Sequence, residues 1–235
     1  MTKPDTDRSI TLSVRETRMI VERILLSLGL TAGLVPSISN AILYSQTIGL
    51  SGLAGFQHHI DTLKTAPPEA IRLVDDKKLD GGGQHAWLLA DDVLDLALAQ
   101  YRMHGTGEIT VSRVADAAEL RVIAALAERH RARATVEPTR NGATIRITAD
   151  RLPGPDPVMV TALRDGLTVP HALWRALYDR SADALTPDSI ESRRHAGPVM
   201  VDAEGRVHGR DDDDTDFELL LGQPGVKTDE RTNAD

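Results

Sequence analysis

The sequence predicts an α/β fold in which helices flank a mixed sheet, and three observations support this. Strand-length apolar strings alternate with amphipathic helices in the middle of the chain, in β-α-β-α order. An Asn141-Gly142 pair separates two further strand-like strings, as in a tight hairpin. The first part of the chain has apolar residues at helical spacing. We therefore expect an N-terminal helical segment over 1–70, an α/β core over 71–210 and an acidic, disordered tail over 211–235.

The N-terminal segment contains predicted helices separated by glycines. The first covers Val14–Leu28, where Ser13 and Glu16 form a capping box at its start. The second runs over Ser37–Ile48 and the third over Phe56–Leu63. Aromatic residues are scarce, so we expect these helices to pack through Ala, Leu, Val and Ile.

The predicted core alternates strands with helices before its hairpin. Its elements are strand Ile71–Val74 (buried), helix Gln84–Met103, strand Glu108–Ser112, helix Val114–His130, hairpin strands Ala134–Glu137 and Ala143–Thr148, strand Val158–Thr161, helix Val169–Ala182 and strand Met200–Asp202. A short helix is also expected at Phe217–Leu221 within the acidic tail.

Composition excludes several classes of protein. The chain has no cysteine, which excludes disulfides, thiolate catalysis and Cys-ligated zinc. Its net charge is −8 and it has no basic stripe, so we expect no nucleic-acid partner. No apolar run approaches the roughly 20 residues of a membrane span. Met1–Ile10 lacks the apolar stretch of a signal peptide, so we expect a cytoplasmic protein without membrane association.

Short stretches between residues 14 and 206 form a recognisable series. They are an amphipathic helix leading to a Gly-containing loop, Ile71-Arg72-Leu73-Val74-Asp75 with Gly82-Gly83-Gln84, His104-Gly105-Thr106-Gly107 with its strand, and Gly197-Pro198-Val199-Met200-Val201-Asp202. This series resembles the malate/L-lactate dehydrogenase family of 2-oxo-acid and imine reductases. The resemblance implies that family's non-Rossmann fold, NAD(P) as cofactor, a small-molecule carbonyl or imine substrate and a homodimer.

The chain departs from the family pattern where the family places its catalytic residues. The family's Ser-His-Gly string falls on Leu50-Ser51-Gly52, so Ser51 replaces the proton-donating histidine. A second signature histidine falls on Ala115, and no arginine lies between Ser51 and Lys64 to bind a carboxylate. A serine hydroxyl does not donate protons readily near neutral pH. We therefore do not expect ordinary lactate or malate reduction.

The candidate catalytic residues are Ser51, His58 and His59. A histidine can replace the missing acid–base group because histidine titrates near neutrality. The alternative is an exposed helical His58-His59 pair without a role. Ser51 as a nucleophile requires a neighbouring base, which the sequence does not reveal.

The candidate binding residues follow two predicted strands. Gly82, Gly83 and Gln84 precede a helix, where backbone N–H groups can hold a cofactor phosphate; a plain Gly-rich connection is the alternative. Arg113 and Asp116 follow a strand end, where α/β proteins bind substrates. A structural role at a helix N-terminus is the favoured alternative for Asp116.

No metal site is expected, because His171 and His195 lack partners at ligand spacing and Asp211–Asp214 is typical of a solvated tail. These observations favour a divergent NAD(P)-dependent enzyme for a small carbonyl or imine, in specialised biosynthesis. A non-redox cyclase, lyase or isomerase using the same pocket is the alternative. A non-catalytic partner of an intact paralogue is the third hypothesis.

Overall fold

The computed structural model describes residues 8–64, 70–148, 157–185, 199–201 and 207–209. Its elements are β1 (Ser9–Leu12), α1 (Val14–Ser27), α2 (Val35–Thr47), α3 (Gly52–Lys64), β2 (Arg72–Asp75), β3 (Lys78–Asp80), α4 (Ala86–His104), β4 (Gly107–Ser112), a 3-10 turn (Ala117–Arg121), α5 (Val122–Glu128), β5 (Arg133–Thr139), β6 (Gly142–Thr148), α6 (Pro157–Asp165), β7 (Leu167–Pro170), α7 (His171–Ser181), a second 3-10 turn (Ala182–Ala184), β8 (Val199–Val201) and β9 (Val207–Gly209).

A five-stranded mixed sheet in the order β2-β3-β4-β6-β5 belongs to the first compact unit, residues 1–185. The neighbours β3 and β4 are parallel, with Leu79 opposite Val111, whereas the other neighbouring pairs are antiparallel. The β5–β6 hairpin closes at Gly142, where a Cβ atom would overlap the carbonyl oxygen of Val111. The sheet and its flanking helices confirm the predicted α/β class.

The N-terminal helices share one hydrophobic core with this sheet. The side chains of Ile20, Val21 and Ile24 on α1 are completely buried. α1 packs against α2 and α7, and α2 packs against α3, α4 and α5. The strand β1 pairs with β7, with Ile10 opposite Val169, and so ties the first described strand to the strand directly before α7. The predicted boundary at residue 70 therefore falls inside one compact unit.

Most predicted elements of this unit are confirmed with small shifts at their ends. The helices α1 to α4 correspond to the predictions over Val14–Leu28, Ser37–Ile48, Phe56–Leu63 and Gln84–Met103. The Ser13 hydroxyl accepts a hydrogen bond from the Glu16 backbone N–H at 3.0 Å, as the capping box predicts.

One predicted strand is wrong. Val158–Thr161 lies in helix α6, Pro157–Asp165. Its β-branched residues favour a strand by local propensity. Packing decides otherwise, because Met159 and Ala162 lie three residues apart on one helical face, against Leu43.

Other elements begin or end differently from the prediction. The N-terminal residues of the predicted helix Val169–Ala182 belong to β7, and the helix begins directly after Pro170. Asp116 has a φ of 51° and delays the helix predicted over Val114–His130 until the 3-10 turn and α5. The strand predicted at Ile71–Val74 exists as β2, but it is an exposed edge strand rather than a buried one.

The second compact unit, residues 186–235, contains an antiparallel pair of β8 and β9 in which Met200 lies opposite His208. The β8 strand confirms the strand predicted from Met200. The helix predicted at Phe217–Leu221 and the acidic tail over 211–235 lie outside the described residues. Among the described helices, none has both the length and the apolar character that crossing a membrane requires.

Candidate active site

The loops that follow the parallel strands β3 and β4 lie side by side and carry the candidate site. Carboxyl ends of parallel neighbouring strands meet at one edge of a sheet, which brings the two loops together. The Gly83 backbone N–H donates to the Arg113 carbonyl at 2.7 Å, and the Ala115 N–H donates to the Gln84 carbonyl at 2.8 Å. These backbone hydrogen bonds fix both loops against each other.

The Gly-rich loop after β3 uses its backbone donors within the protein. The Gly82 N–H donates to Asp80 Oδ1 at 2.9 Å, and the Gly83 N–H donates to the Arg113 carbonyl. The Gln84 N–H donates to the carbonyl oxygen of the first glycine of the loop at 2.9 Å. A phosphate cradle requires free N–H groups. The predicted cofactor residues therefore do not fit a nicotinamide phosphate through their backbone, and a role in cofactor binding stays a prediction.

The candidate substrate residue Arg113 forms a two-pronged ion pair with Asp80. Its Nε lies 2.6 Å from Asp80 Oδ1, and one terminal nitrogen lies 2.8 Å from Oδ2. This hydrogen-bonded guanidinium, together with the Gly82 N–H, holds the pKa of Asp80 below its ordinary value. Because one edge of its guanidinium already binds a carboxylate, Arg113 secures the loop, and substrate binding by it stays a prediction.

The structure brings Asp116, His59 and His85 together at this sheet edge. Asp116 Oδ2 lies 3.4 Å from His59 Nε2 and 3.7 Å from His85 Nε2. His59 projects from α3, and His85 caps the start of α4. The side chain of His85 is 1% exposed, against 23% for His59 and 33% for Asp116. His85 thus forms the floor of the cluster and the other two form its rim.

The proton of His85 has a defined position. Its Nδ1 accepts a hydrogen bond from the Trp87 backbone N–H at 3.2 Å. Burial and, to a smaller extent, the neighbouring His59 lower the pKa of His85 to about 4, although the carboxylate of Glu119 opposes them. The imidazole is therefore neutral near neutral pH. A neutral imidazole has one N–H, so Nε2 carries the proton.

A metal ion does not suit this proton arrangement. Two histidines and a carboxylate whose donor atoms lie within 4.8 Å are a donor set that zinc and similar ions use. A histidine that binds metal through Nε2, however, normally donates an N–H from Nδ1. Nδ1 of His85 instead accepts an N–H from Trp87. The cluster therefore fits acid–base chemistry better than metal binding.

A buried carboxylate, Glu119, lies behind the cluster. It accepts hydrogen bonds from the Ser45 hydroxyl at 2.6 Å, from the Trp87 indole N–H at 2.8 Å and from the Ser51 backbone N–H at 2.9 Å. Burial by itself raises the pKa of Glu119, but these hydrogen bonds together hold it below its ordinary value. Glu119 is therefore ionised, and it links α2, α4 and the connection into α3.

The predicted catalytic residues occupy different positions. His59 lies in the cluster. His58 is exposed, and its ring meets the His59 ring edge-on with a centroid distance of 4.7 Å. The Ser51 hydroxyl is buried against Gly55, at a position where a Cβ on the glycine would overlap it. The structure thus brings together His59 and Asp116, and the roles of Ser51 and His58 stay predictions.

The sequence interpretation missed His85 and Glu119. A signal for His85 existed, because it lies at the start of the long helix predicted over Gln84–Met103. Polar residues at helix starts commonly cap them. For Glu119 no local signal existed, since an acidic residue within an amphipathic helix ordinarily faces solvent.

We expect the free energy of unfolding to fall on acidification because His85 is buried in its neutral form. Its folded pKa of about 4 lies below the ordinary value of 6.5, so the unfolded chain takes up the proton first. Stability is lost as pH falls from about 6.5 towards about 4, by about 2–3 kcal/mol. His85→Asn keeps a cap for the Trp87 N–H and removes this titration.

Urea unfolding of both proteins between about pH 7.5 and about pH 4.5 measures the effect. The difference in unfolding free energy between wild type and His85→Asn should shrink on acidification. His59, Asp116 and Glu119 face His85 and are present in both proteins, so the comparison cancels much of their contribution. Parallel curves would contradict the assignment of a neutral, buried His85.

Comparison with known proteins gives matches only among solved structures. No family model matches the chain, and no curated protein matches it. The chain is similar to sulfolactate dehydrogenase from Methanocaldococcus jannaschii, at 14% identity and a TM-score of 0.40, over 52% of this chain and 38% of that one. It is also similar to malate dehydrogenase from Entamoeba histolytica (13%, TM-score 0.44, 73% of this chain and 62% of that one). The third is malate dehydrogenase from Pyrococcus horikoshii OT3 (10%, TM-score 0.42, 77% and 66%). The matched part of the chain thus covers 38%, 62% and 66% of those chains.

Proposed function

We propose that the protein is an enzyme that transfers protons to and from a small carbonyl or imine compound, with His59 and Asp116 as its acid–base pair. The observation that supports this is the position of Asp116 Oδ2, which lies 3.4 Å from His59 Nε2 at the open rim of the cluster. Histidine is the commonest general acid–base residue in enzymes. The family resemblance of the sequence independently suggests a carbonyl or imine as substrate.

Asp116 and His59 have different roles in proton transfer. Asp116 orients the imidazole of His59 and stabilises the positive charge that forms when the ring takes up a proton. The nitrogen of His59 that faces Asp116 carries a proton, so the other ring nitrogen is the base. Catalytic hydrogen bonds are often long before substrate binds, and the 3.4 Å separation agrees with this.

Proton transfer alone supports an isomerase, lyase or cyclase. This non-redox chemistry agrees with the replacement of the family's histidine by Ser51. It also agrees with the backbone N–H groups of the Gly-rich loop, which already donate to acceptors within the protein. NAD(P)-dependent reduction of the same compounds is the second candidate. It is favoured by the sequence resemblance over residues 14–206, which also suggests a homodimer.

The test is exchange of carbon-bound protons in D₂O, followed by proton NMR on a panel of small ketones, 2-oxo acids and cyclic imines. We expect the protein to accelerate exchange next to the carbonyl or imine without added nicotinamide. His59→Gln should remove this activity, whereas His130→Gln, which changes an exposed histidine after α5, should not. Turnover only with NADH or NADPH would select the reductase. Inactivity under both conditions would instead favour a non-catalytic binding partner.

A further inference from the structure

The floor of the cluster contains a buried hydrogen-bond donor without a partner. Nε2 of His85 has no hydrogen-bond partner among the described residues, although the His85 side chain is only 1% exposed. Leaving a buried polar group unpaired costs about 1–3 kcal/mol. Such groups in folded proteins call for a reason, and a group that meets a ligand is a common one.

The direction of this donor is set by the start of α4. Because the Trp87 N–H occupies Nδ1 of His85, the proton of the neutral ring lies on Nε2 and points towards Asp116 and His59. The Trp87 indole is in turn held by Glu119. The atom that completes this site must therefore be an acceptor, such as a carbonyl oxygen or an unprotonated imine nitrogen.

The spacing of the cluster leaves His85 unbonded to its neighbours. The 3.7 Å from His85 Nε2 to Asp116 Oδ2 exceeds a hydrogen bond, and the rings of His85 and His59 are 4.6 Å apart. An acceptor atom bound to Nε2–H would place its neighbouring carbon beside the acid–base pair. The negative charge of Asp116 disfavours a ligand that arrives as a carboxylate and tolerates an uncharged one. The proton that His59 takes up offsets this charge in the step in which the bound atom becomes negative.

We propose that Nε2–H of His85 binds the carbonyl oxygen or imine nitrogen of an uncharged substrate and stabilises the negative charge that develops on that atom. This inference rests on the proposed function and names its substrate class. A proton moves from the adjacent carbon to His59, and the C–H electron pair forms a carbon–carbon double bond. The electron pair of the C=O or C=N bond moves to the heteroatom held by His85. Return of the proton to carbon regenerates the ring of His59.

The protonation of His85 is tested directly by NMR of protein labelled with ¹⁵N in its histidines. His85→Gln identifies the signals of this residue by their loss. We expect Nε2 protonated and Nδ1 unprotonated from about pH 5.5 to about pH 8. A proton on Nδ1, or a charged ring at neutral pH, would overturn the proposal. So would replacement of the Nε2 proton by added Zn²⁺, which would instead show a metal site.

Binding of an uncharged acceptor is tested with 2-pyrrolidinone, a neutral lactam, and with acetate, a small carboxylate, as the comparison. The lactam should shift the Nε2–H signal of His85 in a saturable manner, whereas acetate should bind at least about ten-fold more weakly, a difference of roughly 1.4 kcal/mol. Stronger binding of acetate would contradict the inferred substrate class.

The rate of proton exchange then shows whether His85 acts as a hydrogen-bond donor to the substrate or has only a structural role. Gln retains a neutral N–H, whereas Leu has none, so His85→Gln should keep most of the activity that His85→Leu loses. Removing a single donor to a developing oxyanion costs about 10²–10³-fold in rate. Melting curves of both variants show whether they are folded. Wild-type activity in His85→Leu would overturn this inference alone, whereas an inactive wild-type protein would overturn the proposed function beneath it.

Discussion

Asp116→Asn is expected to slow proton exchange by about 10²–10⁴-fold, the usual contribution of a positioned acid–base group. The substitution removes the negative charge that stabilises protonated His59 and changes the shape of the side chain little. Asn also tolerates the left-handed backbone that residue 116 adopts, with its φ of 51°. The loss should therefore arise from chemistry rather than from unfolding.

The measurement is the exchange rate in D₂O together with urea unfolding of each protein. We expect the unfolding free energy of Asp116→Asn to remain within about 1 kcal/mol of wild type. Asp95→Asn is the matched control, because it removes an exposed carboxylate from α4, outside the cluster. Undiminished exchange in Asp116→Asn would assign proton transfer to a different group.

Glu119→Ala is expected to lower the free energy of unfolding by about 3–5 kcal/mol, because it leaves buried donors unpaired at about 1–3 kcal/mol each. The donors are the Ser45 hydroxyl, the Trp87 indole and the Ser51 backbone N–H. They belong to α2, α4 and the connection into α3. Their loss should therefore loosen the helices that position His59 and His85.

Urea unfolding at neutral pH measures this effect. Glu137→Ala is a suitable control, because Glu137 is exposed in its ion pair with Arg146, and such pairs contribute about 0–1 kcal/mol. The pKa of Glu119 is held below its ordinary value in the folded protein, so its contribution is present at neutral pH and is lost on acidification through that lowered value. An equal effect of both variants would show that the buried hydrogen bonds contribute little.

The predictable parts of the fold depend on local patterns. Apolar spacing and the Ser13 cap are enough to place α1, and the Asn141-Gly142 pair is enough to place the β5–β6 hairpin. The prediction fails at Val158–Thr161, because local propensity there favours a strand while contacts with distant residues favour a helix. The pairing of β1 with β7 also depends on residues far apart in sequence, which no local pattern reveals.

The candidate site likewise contains residues that the sequence indicated and one that it did not. Strand order placed Asp116 at a sheet edge, and residue type made His59 a candidate, before their proximity was known. The proposed role of His85, on the floor of the cluster, was not predictable in this way. It depends on burial and on a backbone N–H that donates to one of its ring nitrogens. Histidine by itself has no fixed protonation, and its surroundings decide which nitrogen holds the proton.

By itself the sequence determined the α/β class and most of the helices, and it made His59 and Asp116 candidate site residues, because these follow from periodicity and residue chemistry. Only the tertiary structure decided that Arg113 is bound to Asp80 and that the backbone N–H groups of the Gly-rich loop donate to acceptors within the protein. It also decided that the Nε2–H of His85 points towards Asp116 and His59. The reason is physical. Hydrogen bonds and charges depend on distances between residues that are remote in the chain, and folding alone sets those distances.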